Sequence, residues 1–378
     1  MLLHSITLTD LLSFNETTLK LRPLNVLIGP NASGKSNLVS AIGLLKAAPG
    51  NLLDAIELGG GVRQWISQRL PRRTIAAIQA EIELSTTDRL GYLLAFSEHD
   101  LGLHIVSESL RSDRDGVYFE RSPGRASIYK APGLPPSETD IQESRSLLAA
   151  YRDPTDPGPT TRLGEAFGAI RIFRSFNTSP ASQARRGASV GSQKDFLLDG
   201  GDNLALVLQN LHFRGILDRL KEYLRRFWDG AEDIRINLEG GIAQTYVKER
   251  GIPNPMSALR LSDGTLKFLC LMAVLLHPEP PPLISIEEPE LGLHPDAVTV
   301  VADALREASE KCQVIVTTHS EALVGAFSDE PEAVVVCERG ADGGTEFSRL
   351  RSSDLDEWLE RYRLGELWRK GEIGGNRW

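Results

Sequence analysis

Residues 29–36 read Gly-Pro-Asn-Ala-Ser-Gly-Lys-Ser, the pattern G-x-x-x-x-G-K-S. The apolar run Leu24-Asn25-Val26-Leu27-Ile28 precedes it, and a helical pattern from Lys35 to Lys46 follows. This order of strand, glycine turn and helix constrains the fold more than any other feature. It builds an anion cradle, because backbone amides turn inward and the helix start offers free N–H groups and the positive end of its dipole. Gly29 and Gly34 supply the backbone freedom the turn needs. Lys35 can reach the β and γ phosphates of a nucleotide, and the Ser36 hydroxyl can ligate Mg²⁺. Asn31, Ser33 and Asn37 complete the set expected to line the nucleotide. Residue usage alone produces the pattern in roughly one chain in a hundred of this length. The plainer alternative is a glycine turn with a surface lysine, and the flanking strand and helix speak against it.

Two more strand ends carry chemistry. Residues 283–290 read Leu-Ile-Ser-Ile-Glu-Glu-Pro-Glu, an apolar strand delivering adjacent carboxylates at its C-terminal end. Ligands of open parallel sheets collect at that edge. Successive side chains point to opposite sides of a strand, so the two carboxylates have different tasks. Glu287 is assigned to the Mg²⁺ shell and Glu288 to positioning the attacking water, with Glu290 as a second candidate for the base role. A solvated turn is the bland alternative, but paired carboxylates after a buried strand are costly without a partner. Residues 313–320 read Gln-Val-Ile-Val-Thr-Thr-His-Ser. His319 is expected beside the γ-phosphate as a sensor or hydrogen-bond donor. Residues 261–265, Leu-Ser-Asp-Gly-Thr, precede an apolar helix. Ser262 reads as its cap, with Gly264, at a helix start that can bind phosphate. Taken alone, that segment is better explained by an ordinary N-cap.

The 378 residues are 25% charged and 41% hydrophobic, with a formal net charge of −9, which excludes a disordered chain. The longest apolar run, Phe268 to Leu276, is nine residues and too short to span a bilayer. The start MLLHSITLTD lacks a basic region and a cleavage site, so the expectation is a cytoplasmic protein without a membrane partner. Cys270, Cys312 and Cys337 are odd in number, widely spaced and set among apolar residues, as buried free thiols are. Four segments are expected. Residues 1–140 form an N-terminal lobe with the phosphate loop and an antiparallel β subdomain, the alternating runs of residues 75–131. Residues 141–256 form an inserted, mainly helical lid. Proline-rich breaks lie at 131–140 and 153–160, a Ser/Gly/Ala/Gln-rich mobile loop at 177–202, helical spacing over 203–228 and a hairpin around Gly240-Gly241. Residues 257–352 form a C-terminal α/β lobe, and 353–378 a helical tail.

Phosphate loop, LSDGT, acidic strand end and TTHS, in this order and spacing, resemble the ABC-type ATPases. The segment Glu287 to Pro295 (EEPELGLHP) resembles the RecF, SMC and OLD branch, and the ending Trp358 to Trp378 resembles that branch's short stand-alone bacterial ATPases. The resemblance implies an α/β fold, a P-loop NTPase of the ABC-ATPase head kind with an antiparallel β subdomain and an inserted helical lid subdomain. It implies ATP and Mg²⁺ as ligands and hydrolysis at the β–γ bond. It further implies a homodimer sandwiching two ATP molecules, in which Ser262 and Gly264 of one chain face the γ-phosphate held by Lys35 of the other. Gln142, in IQESRSLL, takes the position of the family's Q-loop glutamine and joins the Mg²⁺ shell. By resemblance, such ATPases serve DNA repair or phage defence, often with a separately encoded nuclease. Only about sixty residues follow His319 here, too few for a nuclease domain of its own. This chain departs from the branch at Leu11-Leu12-Ser13-Phe14, where a basic residue is usual, and Leu293-His294-Pro295 stands where transporters carry an aspartate.

An acidic whole argues against nucleic acid, yet two stretches are basic: Arg63, Arg69, Arg72 and Arg73 within 59–80, and Arg171, Arg174, Arg185, Arg186 and Lys194 within 171–194. Arg63, Arg72, Arg73, Arg185, Arg186 and Lys194 are the candidate DNA contacts, against the bland reading of a solvated face. In the tail, Leu355, Trp358, Leu359 and Tyr362 share a helical face, followed by Leu364, Leu367, Trp368 and Trp378. That stripe either packs on its own domain or docks a partner. The resulting expectation is an ATP-driven, DNA-linked switch controlling an effector encoded elsewhere. A transporter ATPase subunit and a non-hydrolysing scaffold are the rivals. The interval from Ser36 to Ser262 disfavours the first, and the Glu287-Glu288 pair the second.

Overall fold

A six-stranded sheet lies at the centre, in the order 171–173, 283–287, 313–317, 24–28, 334–339, 345–349. The first five strands run parallel and the last is antiparallel to its neighbour. The computed structural model describes residues 1–67, 74–85, 88–122, 124–129, 135–151 and 158–375. Strands Leu24–Ile28 and Gln313–Thr317 are buried throughout, which explains their apolar runs: both faces of a parallel sheet are covered. Alternation along the strand divides two cores. Val26, Ile28, Ile286 and Val316 face one with helices Asp263–Leu275 and Pro295–Ser309. Leu27, Leu283, Ile315 and Val335 face the other with helix Lys35–Ala47. Ser262 caps the signature helix by accepting from the Thr265 amide at 3.1 Å.

The second core is closed by an eight-stranded antiparallel sheet, in the order 14–20, 2–11, 76–85, 88–99, 102–112, 116–122, 125–128, 137–140. The expected meander is there, widened by the first two strands at one edge and by Ser137–Asp140 at the other. The latter strand falls within the stretch expected as a proline-rich break. Its residues Ser-Glu-Thr-Asp show no apolar face, because an edge strand exposed on both faces needs only backbone pairing. Residues 131–134, and 153–157 of the second break, lie outside the described residues. Pro159, at the end of that second break, starts helix Pro159–Gly168 at its first position.

The segment expected as one inserted lid visits the core before leaving it. Leu163 and Phe167 of helix Pro159–Gly168 are buried against the phosphate-loop side, and Arg171–Phe173 enters the parallel sheet beside Leu283–Glu287. Only then follow helices Leu204–Phe213 and Leu217–Phe227 and the hairpin Ala231–Glu239/Ile242–Glu249. Gly240 and Gly241 make that hairpin turn with φ of 58° and 79°, a conformation suited to glycine. The stretch 177–202 is not a free loop: it holds helix Gln183–Arg186 and strand Ala188–Ser189, and Arg185 is buried. The tail packs on its own chain. Helices Ser352–Leu359 and Leu364–Lys370 bury Leu355, Leu364, Leu367 and Trp368 in the first core, while Trp358 is 44% exposed and Trp378 lies outside the described residues. All three cysteines are buried free thiols, and among the described residues no helix is long and apolar enough to cross a membrane.

Candidate functional site

The parallel strands deliver their chemistry at one edge. Asn31 to Asn37 of the loop, Glu288, Thr317 and His319 line a single cleft there. Gly29 and Gly34 have φ of 145° and 107°. Both are also crowded: a Cβ at Gly29 would lie 2.2 Å from the Cys337 carbonyl oxygen, and one at Gly34 the same distance from Thr345 Oγ1. Steric closeness and backbone sign thus both require glycine. The loop is braced from behind by strand Thr345–Arg349. Thr345 Oγ1 donates to the Ser33 carbonyl at 2.8 Å and lies 2.7 Å from Ser13 Oγ, which accepts from Asn37 Nδ2 at 2.8 Å. Arg339 donates to the Ala32 carbonyl from Nε at 3.2 Å and Nη2 at 3.1 Å. Ser13, in the segment that departs from the branch's basic residue, therefore serves the site through Asn37.

Lys35 Nζ donates to the carbonyls of Gly29 at 2.7 Å and Pro30 at 3.0 Å, curled inside its own loop. Burial lowers its pKa from 10.5, opposed by the negative charge of Glu288. Ser36 Oγ donates to Glu287 Oε2 at 2.7 Å, joining the loop to the acidic strand. Glu287 Oε1 is buried without an aligned hydrogen bond, although Arg174 Nη1 approaches it to 2.8 Å as an ion pair. Glu288 has φ of 46°, a left-handed backbone rare for a glutamate, and its amide donates to the Thr317 carbonyl at 2.9 Å. Glu290 does not line the cleft. Its Oε1 accepts from Thr318 Oγ1 at 2.6 Å and from the His319 amide at 3.1 Å, so it fixes the histidine turn. His319 stands at the cleft rim, and burial, then Lys35, lower its pKa from 6.5 against the pull of Glu288. Both effects favour the neutral ring.

Ser36 and Glu287 fit a divalent ion. They are hard oxygen donors 2.7 Å apart at the cleft, and Glu287 keeps an oxygen without a hydrogen bond. Among the described residues no group of three or more His, Cys, Asp or Glu could hold a metal. Mg²⁺ takes one or two protein ligands and completes its shell with phosphates and water.

Two expectations need correction. Gln142 is exposed at the foot of the antiparallel sheet, where its carbonyl accepts from Arg121 Nη2 at 2.7 Å, and it does not line the cleft. The residue that leaves the strand next to the acidic one is Arg174: Phe173 pairs with Ile286, which sets Arg174 beside Glu287. The missed signal was the short run Ile172-Phe173 directly before it. Arg185 cannot meet a nucleic acid, because it is buried and its guanidinium is spent on the carbonyls of Thr178 at 2.7 Å, Ala258 at 3.1 Å and Leu261 at 2.6 Å, and on Asp263. Arg186 and Lys194 are exposed, Arg63 pairs with Glu98, and Arg72 and Arg73 lie outside the described residues. Ser262 and Gly264 are absent from the cleft of their own chain; a Cβ at Gly264 would lie 2.9 Å from the Gly292 carbonyl.

A family model described as "AAA domain, putative AbiEii toxin, Type IV TA system" matches residues 24–126 and 170–325. The chain belongs to that family. The second matched stretch opens one residue before the strand that leads into Arg174, so the family core resumes where the structure places it. The Old nuclease of Escherichia phage P2 is 22% identical over 400 residues, covering 94% of this chain. The chain spans 62% of that relative's length. Among solved structures, an SmcHead bound to the C-winged helix domain of ScpA superposes with a TM-score of 0.58 at 16% identity, over 94% of this chain and 99% of that one. An Smc head domain with an extended coiled coil, bound to the C-terminal domain of ScpA derived from Pyrococcus furiosus, gives 0.56 at 15% identity, over 95% and 98%. The fold is that of the SMC head, carried by a chain of the AAA-domain family matched above.

Proposed function

We propose that this chain hydrolyses ATP at the β–γ bond, and that two copies close over two ATP molecules as a DNA-linked switch in repair or phage defence. The observation that carries the ATPase reading is the convergence, in one cleft, of the phosphate loop, Glu288 and His319, with Ser36 bridging to Glu287. Lys35 leaves its two carbonyl partners to neutralise the β and γ phosphates, for which the loop amides are already arranged. Glu288, held by its left-handed backbone at the cleft wall, orients water toward the γ-phosphate and accepts its proton. His319, its neutral form favoured and its turn held through Glu290, offers one ring N–H to the transferred phosphoryl group. Ser36 and Glu287 would hold Mg²⁺ beside the phosphates, where it would supply further charge neutralisation.

The dimer and the DNA link rest on resemblance, on the distance of Ser262 and Gly264 from their own cleft, and on the name of the Old nuclease relative. Exposed Arg186 and Lys194 are the described basic residues that favour DNA. A separately encoded nuclease or other effector then carries the output. The test is ATP turnover by the purified chain, with and without double-stranded DNA, beside Glu288→Gln. Turnover that DNA raises and the substitution abolishes supports the whole reading. Turnover indifferent to DNA moves the trigger to a protein partner, and no turnover in the wild type refutes the enzyme.

A further inference from the structure

The cation site already holds a cation. Arg174 Nη1 lies 2.8 Å from Glu287 Oε1, and its Nη2 donates to Ser40 Oγ at 3.0 Å. Ser36 donates to the other carboxylate oxygen at 2.7 Å. One oxygen of Glu287 therefore faces a fixed positive charge without an aligned hydrogen bond, and the other holds a hydroxyl proton. A divalent ion bound between Ser36 and Glu287 needs a lone pair from each. It would share one carboxylate with a guanidinium, and two cations at that separation repel. The Arg174 side chain is 53% exposed, so it has room to turn away.

Building on the proposed ATP site, we infer that Arg174 is a built-in counter-cation for Glu287 that sets the Mg²⁺ concentration at which nucleotide loads. It is a positioning residue: it holds the carboxylate in place and yields it to the metal–nucleotide complex. The charge itself, and not the packing of the side chain, does this, so lysine preserves the effect and glutamine removes it.

The experiment follows binding, not turnover. A fluorescent non-hydrolysable ATP analogue is titrated onto the full chain at a series of free Mg²⁺ concentrations, for wild type, Arg174→Gln and Arg174→Lys. Thermal melts check that each is folded. The expected result is a Mg²⁺ midpoint about fivefold lower in Arg174→Gln, the size of a half-exposed ion pair, and close to wild type in Arg174→Lys. An unchanged or higher midpoint in Arg174→Gln, with normal wild-type binding, overturns the role of Arg174 and leaves the ATP site standing. A folded wild type that binds the analogue at no Mg²⁺ concentration overturns both.

Discussion

Two carboxylate sites in this chain have opposite characters. Glu108 is fully buried in the antiparallel sheet and saturated: it accepts from Tyr92 Oη at 2.9 Å, Ser146 Oγ at 2.6 Å and the amides of Leu147 at 2.7 Å and Leu148 at 3.4 Å. Burial nevertheless pushes its carboxyl above the usual 4.5. The acidic strand end is left incomplete. Glu287 and Glu290 each keep a buried oxygen without a hydrogen bond, and Glu288 sits on a left-handed backbone. A saturated carboxylate holds two parts of a fold together. An under-satisfied one beside a phosphate loop is poised for something that arrives later.

Substitutions at both sites can break that contrast. The largest effect is expected from Glu288→Gln: ATP turnover falls by about 10²- to 10⁴-fold, with the melting temperature unchanged or raised. Glu108→Ala should act the other way round, destabilising by about 3 kcal/mol in urea unfolding because it strands three donors, the Leu148 amide keeping Ser146 Oγ at 3.1 Å. Turnover of the folded fraction should persist. If Glu108→Ala removed turnover without loss of stability, the two sites would not differ as described. Arg185→Ala, which removes the guanidinium donors from the Thr178 and Leu261 carbonyls before the signature helix, should cost about 2 kcal/mol and speed amide exchange over 261–266. DNA affinity that fell without that loss of protection would return Arg185 to the surface.

The smallest effect sharpens the electrostatics. Both burial and Lys35 disfavour protonated His319, so its imidazole should titrate below 6.5 by proton NMR. The sign follows: the unfolded chain takes the proton first, so this residue costs stability as the pH falls through 6.5 and nothing above it. Lys35→Ala should move the midpoint up, and Glu288→Gln should move it down. A midpoint insensitive to both would place the ring away from the cleft.

What the sequence revealed was local. The phosphate loop, the glutamates after Ile286 and the histidine after Thr318 are short strings at the ends of apolar strands, so order alone exposed them. Arg174 was hidden because its strand is three residues long and its partner, Glu287, is distant in sequence. Gln142 was misplaced because resemblance supplied an order of motifs, and only strand pairing shows that the core resumes at residue 171. Arg185 was misread because a count of charges carries no burial, and its partners at 258–263 lie beyond the reach of any local pattern. Strand Ser137–Asp140 shows no alternation, since it is an edge held by backbone pairing.

The twisted backbone at Glu288 also has an engineering consequence. A glutamate at φ 46°, followed by a proline, holds a conformation that costs about 1 kcal/mol more than a glycine or asparagine would there. Optimising this chain for robustness alone would therefore erase the side chain assigned to water activation. Glu288→Gly should give a tougher, inert protein, and durability and turnover are in direct competition at that one position.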